Sequence, residues 1–367
     1  MTVPDGFLED PRFSRVFEFP ADPARGRNTP FRVKYADYGY RNEEHPEQER
    51  VILFFTPLMG SRLVHVAKDE LAKKRKIRII NPDRPGFGGT DSADAEHRLE
   101  LWRDIMPALL KHLKIDYVSL GCHSGGTIYA LDLLLHHPEI LHPERPYLGI
   151  GGPWILPSHT TSATMALVQS LPASLIGTTD KLSKLINNHL SPIFGNTIGL
   201  SMALASKLTP YSDKAADKTE AIREGTEFEE EIWPSIMERV FKEGVNGLSP
   251  ESILLMQKVK GTDGWGDWKD YDTLVPRLVD ALRVAGKRLR VEVFYAENDW
   301  MIGDGGSKGP LWFDQCWDAK NRGDTVDYFS TTIKGADHDG IWNIRWGAVQ
   351  QVFEKVGEQP AEEGSTS

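Results

Sequence analysis

The sequence predicts an α/β protein in which a mostly parallel sheet is flanked by helices. Three segments support this prediction. Residues 118–127 read as a short apolar strand, a tight turn and the start of a helix. Residues 76–91 form a buried strand that runs into a loop dense in proline and glycine. Residues 290–296 alternate in polarity and are rich in strand formers. Strands separated by helical segments are typical of parallel sheets.

The turn in the first of these segments places a serine between small residues. Ser124 has Cys122 two positions before it and Gly126 two positions after it. The backbone doubles back on such a turn, and only small residues at these positions avoid a clash. The hydroxyl is thereby exposed, and the N–H groups of the new helix point to where an acyl oxygen would gain negative charge. This geometry suits a nucleophile, although similar turns bind phosphate in other α/β proteins.

Two motifs carry a resemblance to a known family. The Gly-Cys-His-Ser-Gly-Gly segment around Ser124 resembles the nucleophile elbow of the α/β-hydrolase superfamily, with cysteine in place of the commoner glycine. The Asp-Arg-Pro-Gly-Phe-Gly segment at residues 83–88 is similar to the loop after the fourth strand in many members, where Arg84 would be mostly structural. The resemblance implies a serine-nucleophile α/β-hydrolase fold with an inserted helical cap. A serine at the elbow argues against epoxide hydrolase or dehalogenase chemistry, which uses a carboxylate there.

The resemblance also implies a triad in the chain order nucleophile, acid, histidine. His338 lies on a loop before the apolar spacing of a last helix, and we assign it as the general base. Asp299, just after the alternating strand, is the candidate acid, and Glu297 is its nearest rival. A family variant places the acid after the preceding strand, but residues 147–179 contain no Asp or Glu.

The family's oxyanion hole maps onto two backbone N–H groups, those of Leu58 and Gly125. Thr56 and Pro57 stand where many members have His-Gly, and proline supplies no donor of its own. A main-chain donor works whatever its side chain, so the assignment tolerates this change. We expect four further residues to contact the substrate, namely Met59, His123, Trp154 and Trp300.

The length of 367 residues exceeds that of a usual single domain, so we expect an insertion. We predict an α/β-hydrolase core at 1–155 and 270–357, a helical cap at 156–269 and a disordered tail at 358–367. Apolar spacing over 99–109 predicts a helix that an internal proline kinks or divides. A tryptophan-rich segment, 261–268, is either the return hinge, part of a pocket wall or a packed loop.

Composition excludes several classes of partner. A formal net charge of −10 argues against nucleic acid and anionic membranes, whose binding depends on clustered Lys and Arg. No segment is long and apolar enough to span a bilayer, and no secretory signal is evident, so we expect a cytoplasmic protein. Two cysteines make no disulfide framework, and no Cys/His cluster has metal spacing. We expect a small-molecule substrate, no metal and no cofactor; the oligomeric state is left open.

These observations favour a carboxylesterase-like serine hydrolase acting on an ester or thioester-type bond of a small, fairly apolar molecule. A second hypothesis is C–C bond hydrolysis or a lyase reaction in which the same triad transfers protons, and the altered Thr56-Pro57 turn motivates it. A third is a non-catalytic ligand receptor, against which the three side chains of the triad argue.

Overall fold

The computed structural model describes residues 6–170 and 220–357, together with the isolated Pro4 and Pro172. The predicted tail, 358–367, and the middle of the predicted cap lie outside the described residues. The predicted division into core and cap therefore stays a prediction.

An eight-stranded sheet forms the centre of the molecule, in the order β1-β2-β4-β3-β5-β6-β7-β8. The strands are β1 (Arg15–Phe19), β2 (Phe31–Gly39), β3 (Arg50–Phe55), β4 (Ile77–Pro82), β5 (Ser119–Ser124), β6 (Tyr147–Pro153), β7 (Leu289–Asn298) and β8 (Val326–Asp337). The two N-terminal strands pair antiparallel with each other, and β2 pairs antiparallel with β4. Strands β3 to β8 run parallel. The predicted fold class is confirmed.

Helices cover both faces of the sheet. The described helices are α1 (Asp69–Lys74), α2 (Arg98–His112), α3 (Gly126–His136), α4 (Ala163–Ser170), α5 (Glu220–Glu243), α6 (Leu248–Leu255), α7 (Tyr271–Val284), α8 (Lys308–Cys316), α9 (Ala319–Arg322) and α10 (Ala348–Gly357). None of them is long and apolar enough to cross a membrane.

The apolar core is divided by the sheet into two clusters. Leu53 of β3 belongs to the cluster that contains α2, α3 and α7, whereas its neighbour Ile52 belongs to the cluster that contains α1 and α10. Successive side chains of a strand point to opposite faces, which explains the division. Every residue of β5 is buried, as expected for a strand covered on both faces.

Two predictions about the helical regions are now decided. Pro107 lies inside α2, which continues to His112, so the proline does not divide the helix. Trp265 and Trp268 are buried in the core, and their indole N–H groups donate to the Leu254 carbonyl at 3.0 Å and to an Asp132 carboxylate oxygen at 2.8 Å. The segment is therefore packed, and its tryptophans form no wall of the active-site cavity described below.

Candidate active site

Ser124 occupies a strained turn between β5 and α3. Its φ of 50° lies in the left-handed region, which non-glycine residues rarely adopt. Gly126 starts the helix close to β3, where a Cβ atom would lie 2.4 Å from the Phe55 carbonyl oxygen. Strain of this kind costs about 1–3 kcal/mol and is typical of functional sites. The fold therefore holds one serine at the carboxyl end of a central strand.

Two further strand ends bring a histidine and an aspartate to this serine. His338 Nε2 lies 2.9 Å from Ser124 Oγ, and His338 Nδ1 lies 2.7 Å from Asp299 Oδ2. The second aspartate oxygen accepts the backbone N–H groups of Met301 at 2.9 Å and Ile302 at 3.0 Å. An ionised carboxylate only accepts hydrogen bonds, so Nδ1 carries the proton and Nε2 can accept the serine hydroxyl. The hydrogen-bond network therefore assigns the proton of the neutral His338 imidazole to Nδ1.

The rival acid takes no part in this chain of hydrogen bonds. Glu297 Oε2 accepts the backbone N–H of Gly335 at 2.8 Å, and the Glu297 side chain is exposed. It joins β7 to β8 away from the imidazole. Of the two acids proposed from the sequence, only Asp299 lies behind the histidine.

Burial and charge act in opposite directions on His338. Burial of the imidazole lowers its pKa, but the charge of Asp299 and the hydrogen bond to it raise the pKa by more, and Asp339 and Asp337 add to the rise. The net result is a pKa of His338 above its ordinary value. An imidazole with this pKa readily accepts a proton from a nearby hydroxyl.

A small cavity of about 120 Å³ opens beside the serine. Most of its wall is apolar, and it is lined by residues that include Leu58, Met59, Val64, Trp233, Met237, Trp300, Met301 and Trp342. Three of the four predicted substrate contacts, Met59, His123 and Trp300, are among the lining residues. Trp154 is not, because it is buried in the core with its indole N–H donating to the Leu255 carbonyl at 3.0 Å. The geometry does not support substrate contact by Trp154.

The cavity also has polar residues that the sequence analysis did not identify. His65, Lys68, Glu229 and Asp339 all line it. Glu229 belongs to α5 and is 161 positions from Lys68 along the chain, so no local pattern links the two. Asp339 could have been found, since it directly follows His338.

The predicted oxyanion donors belong to a turn after β3 and to the residue that follows the serine. Gly60 N–H donates to the Pro57 carbonyl at 2.9 Å, which closes a turn with Leu58 at its second position. Thr56 Oγ1 donates to the Gly60 carbonyl at 3.1 Å and fixes the same turn. The Leu58 N–H has no acceptor in the part of the chain that the structure describes. Gly125 directly precedes α3, whose first turn leaves backbone N–H groups free.

A buried ion-pair network supports that turn. Arg84 Nη2 donates to the Pro57 carbonyl at 2.5 Å, and Arg84 Nη1 lies 2.8 Å from Glu251 Oε1. The other Glu251 oxygen lies 2.7 Å from Arg98 Nη2, and all three side chains are fully buried. Helix α6 therefore supplies the carboxylate that holds Arg84 against the turn. The structural role predicted for Arg84 thus includes a contact with the candidate oxyanion loop.

One described group has metal-ligand spacing outside the cavity, namely Asp132, His136 and Asp267, whose ligand atoms lie within 4.8 Å of one another. Protein cations already contact two of them. Arg103 Nη1 lies 2.7 Å from His136 Nε2, and Arg277 Nη2 lies 2.7 Å from an Asp267 oxygen. These contacts fit a structural ion-pair cluster, and we assign no metal to it.

Comparisons with known proteins give one local sequence match and many structural ones. No protein-family model matches the chain. Over 71 residues the chain is 41% identical to 2-hydroxymuconate semialdehyde hydrolase of Pseudomonas sp. strain CF600, a stretch that covers 19% of this chain and 24% of that relative.

Solved structures match over nearly the whole chain. An esterase from Thermogutta terrifontis covers 94% of this chain and 100% of its own, with a TM-score of 0.55 and 13% identity. The enol-lactonase of Burkholderia xenovorans LB400 covers 89% of this chain and 97% of its own, with a TM-score of 0.52 and 13% identity. Epoxide hydrolase VrEH1 of Vigna radiata covers 94% of this chain and 95% of its own, with a TM-score of 0.51 and 14% identity.

The chain has the α/β-hydrolase fold. The resemblance predicted from the sequence is confirmed at this level. In this α/β-hydrolase fold, the candidate nucleophile ends β5 and the candidate acid and base directly follow β7 and β8, so all three lie at the carboxyl edge of the parallel sheet. Ligands of open α/β sheets bind at that edge.

Proposed function

We propose that the protein is a serine hydrolase that cleaves an ester or thioester-type acyl bond of a small, fairly apolar molecule. The observation that carries the proposal is the hydrogen-bonded series Ser124, His338 and Asp299, which opens into an apolar cavity. The cavity's volume of about 120 Å³ favours a small acyl group. The hydrolase names of the structural neighbours agree with this activity.

The chemistry proceeds in two halves. Ser124 Oγ attacks the acyl carbon while His338 Nε2 takes the hydroxyl proton, and Asp299 stabilises the imidazolium that forms. The carbonyl oxygen becomes negative and is held by the N–H groups of Leu58 and Gly125. The C–O or C–S bond then breaks as His338 passes its proton to the departing oxygen or sulfur. A water molecule, deprotonated by the same imidazole, hydrolyses the acyl-enzyme and restores the serine.

Active-site labelling tests the proposal. A fluorophosphonate should add one adduct to the wild-type protein, and peptide mapping should place it at Ser124. The Ser124→Ala variant should stay unlabelled while keeping the wild-type melting temperature. A folded wild-type protein that takes up no probe would refute the proposal. A panel of esters, thioesters and lactones then ranks the acyl bonds by kcat/KM.

A second candidate function is C–C bond hydrolysis with the same residues. The 71-residue match to a hydrolase named for 2-hydroxymuconate semialdehyde favours it, because that compound contains no ester and its chain is all carbon. Proline at position 57, next to the candidate oxyanion donor, is a second reason. Sustained turnover of short p-nitrophenyl esters, with more than one product per enzyme, would favour ester hydrolysis instead.

A further inference from the structure

A buried ion pair faces the active-site cavity from a wall that is otherwise mainly apolar. Lys68 Nζ contacts Glu229 Oε1, and each side chain is only 3% exposed. The other Glu229 oxygen accepts the backbone N–H of Ile344 at 2.8 Å, so the carboxylate is satisfied. An ammonium group has three donors, and among the described residues Glu229 is the acceptor for one of them. Lys68 therefore retains hydrogen-bonding capacity at the cavity wall.

His65 adds a second unsatisfied group to the same wall. It is 7% exposed, and neither of its ring nitrogens has a hydrogen-bond partner in the described part of the chain. Burial, and then the charge of Lys68 and the neighbouring His123, hold the pKa of His65 well below its ordinary value. The ring is therefore neutral and carries one N–H donor. A buried polar group without a partner is rare and costs free energy, which a bound ligand or water can recover.

These groups do not contribute to the proposed acyl transfer. Neither lies in the hydrogen-bonded series of Ser124, His338 and Asp299. A buried ion pair is also a weak source of stability, because apolar side chains of similar volume often serve as well. The polar wall formed by His65, Lys68 and Glu229 therefore has unsatisfied hydrogen-bond donors that a ligand in the cavity could satisfy.

We propose that this polar wall is a specificity subsite that binds a neutral carbonyl oxygen carried by the acyl chain of the substrate. The inference rests on the proposed function, because it assumes that the acyl group occupies the cavity beside Ser124. The oxygen would accept hydrogen bonds from the Lys68 ammonium and the His65 N–H. The preferred substrates are then esters of oxo-substituted acids rather than of simple alkanoic acids.

The charges around the cavity decide between a neutral oxygen and a carboxylate. The charge of Lys68 is already balanced by Glu229, so an added carboxylate would bring an uncompensated negative charge into a largely apolar space. Asp337 and Asp339 line the same cavity and would repel it. A neutral acceptor gains the hydrogen bonds without this cost.

Matched esters test the subsite. The p-nitrophenyl esters of 4-oxopentanoate and 5-oxohexanoate are compared with those of pentanoate and hexanoate, and the hemisuccinate ester supplies a carboxylate. We expect kcat/KM to favour at least one oxo ester about tenfold or more over its plain partner, since hydrogen bonds to charged donors are the stronger kind. The hemisuccinate should be the poorest substrate.

For each variant we compare kcat/KM for the oxo ester with kcat/KM for the plain ester, as a ratio within the same protein. Lys68→Met combined with Glu229→Gln removes both charges and leaves an acceptor for the Ile344 N–H, and His65→Phe keeps the ring that packs edge-on against Phe54. Each should bring the ratio close to one. Lys287→Met is the control, because this partly buried lysine donates to Leu141 and does not line the cavity. It should keep the wild-type ratio.

Binding to Ser124→Ala separates the two proposals. Methyl 5-oxohexanoate should quench tryptophan fluorescence at about tenfold lower concentration than methyl hexanoate, and the polar-wall variants should abolish the difference. Ketone-selective binding without ester turnover in the wild type would reject the proposed function and keep the subsite. Three results would overturn the subsite. The wild type could hydrolyse esters with no preference for oxo esters, it could prefer the hemisuccinate, or its oxo preference could be unchanged in the polar-wall variants.

Discussion

The side chain of His123 is hydrogen-bonded to the backbone of His338, with Nε2 2.8 Å from the carbonyl oxygen. A carbonyl only accepts, so His123 Nε2 carries a proton. Burial and then the neighbouring His338 lower the pKa of His123 to about 3, and the ring is therefore neutral at physiological pH. The residue before the candidate nucleophile thus holds the loop that carries the candidate base.

Removal of this hydrogen bond should impair turnover more than substrate binding. His123→Phe keeps an aromatic ring but leaves the His338 carbonyl buried without a donor, a cost of about 1–3 kcal/mol. We expect kcat to fall about tenfold or more with little change in KM, because the base is displaced while the rest of the cavity wall is kept. His123→Gln, which can still donate, should recover part of kcat. Equal losses in the two variants would show that the hydrogen bond is not what matters.

The pH dependence should report the carboxylate behind the imidazole. Only neutral His338 can accept a proton, so kcat/KM of the wild type should rise with pH through the raised pKa of His338. Asp299→Asn removes the charge that raises this pKa, and the acid limb should move to lower pH. The amide also presents a donor to Nδ1, which favours the wrong tautomer, so kcat should fall about 10⁴-fold.

A neighbouring carboxyl provides the control for this measurement. Burial raises the pKa of Asp339 to about 6, so this carboxyl also changes charge within the pH profile. Asp339→Asn should keep the acid limb and shift it only slightly downward. If the acid limb of the kcat/KM profile disappears in Asp339→Asn, or does not shift in Asp299→Asn, the limb does not reflect the titration of His338.

The oxyanion assignment can be tested through the turn geometry. Leu58 occupies the second position of the turn closed by Gly60 and Pro57, a position at which proline is favoured. Leu58→Pro should therefore fit the turn while deleting its N–H. Loss of one oxyanion donor costs about 10²–10³ in kcat. Leu58→Ala keeps the donor and should lose far less. Similar kcat values for the two variants would remove Leu58 from the oxyanion hole.

Ser124 and Asp299 could be located from the sequence because each stands at the carboxyl end of a recognisable strand, whereas His338 was located from its loop before the last helix and from the order of the triad. Parallel strands end at one edge of the sheet, so residues far apart along the chain meet there. The motif around Ser124 and the order of acid and histidine sufficed to choose Asp299 and His338, which the structure places within hydrogen-bonding distance. Their catalytic roles stay predictions.

Other features depended on packing that no local pattern contains. The ion pair of Lys68 and Glu229 joins the segment after β3 to α5, and their separation hid it. Strand β8 was not located, because as an edge strand it exposes Ser330 and its neighbours and lacks a clear apolar alternation. Trp154 follows β6, where position alone could not distinguish the cavity from the core; its carbonyl accepts the Tyr271 hydroxyl at 2.6 Å.

The buried ion pairs of Glu251 with Arg84 and Arg98 should stabilise the fold, but only Arg84 should also affect turnover. Arg84 and Arg98 both pair with Glu251 in the interior, but only Arg84 donates to the Pro57 carbonyl. Glu251→Gln leaves two buried guanidinium groups without a balancing charge. We expect it to lower the free energy of unfolding by about 3–5 kcal/mol, measured by urea denaturation.

Arg84→Met and Arg98→Met form a matched pair for the catalytic effect. Each deletes one buried guanidinium and leaves Glu251 the other guanidinium and the Tyr129 hydroxyl as partners, so both should lose stability. Only Arg84→Met removes the guanidinium hydrogen bond to the Pro57 carbonyl, which anchors the turn that presents the Leu58 N–H; the Gly60 N–H bond that closes the turn is kept. Its kcat, measured on folded protein well below the unfolding midpoint, should fall about tenfold while that of Arg98→Met stays near the wild-type value, because a donor displaced from the oxyanion loses much of its effect. Equal kcat values in the two variants would show that Arg84 supports the fold without positioning the oxyanion turn.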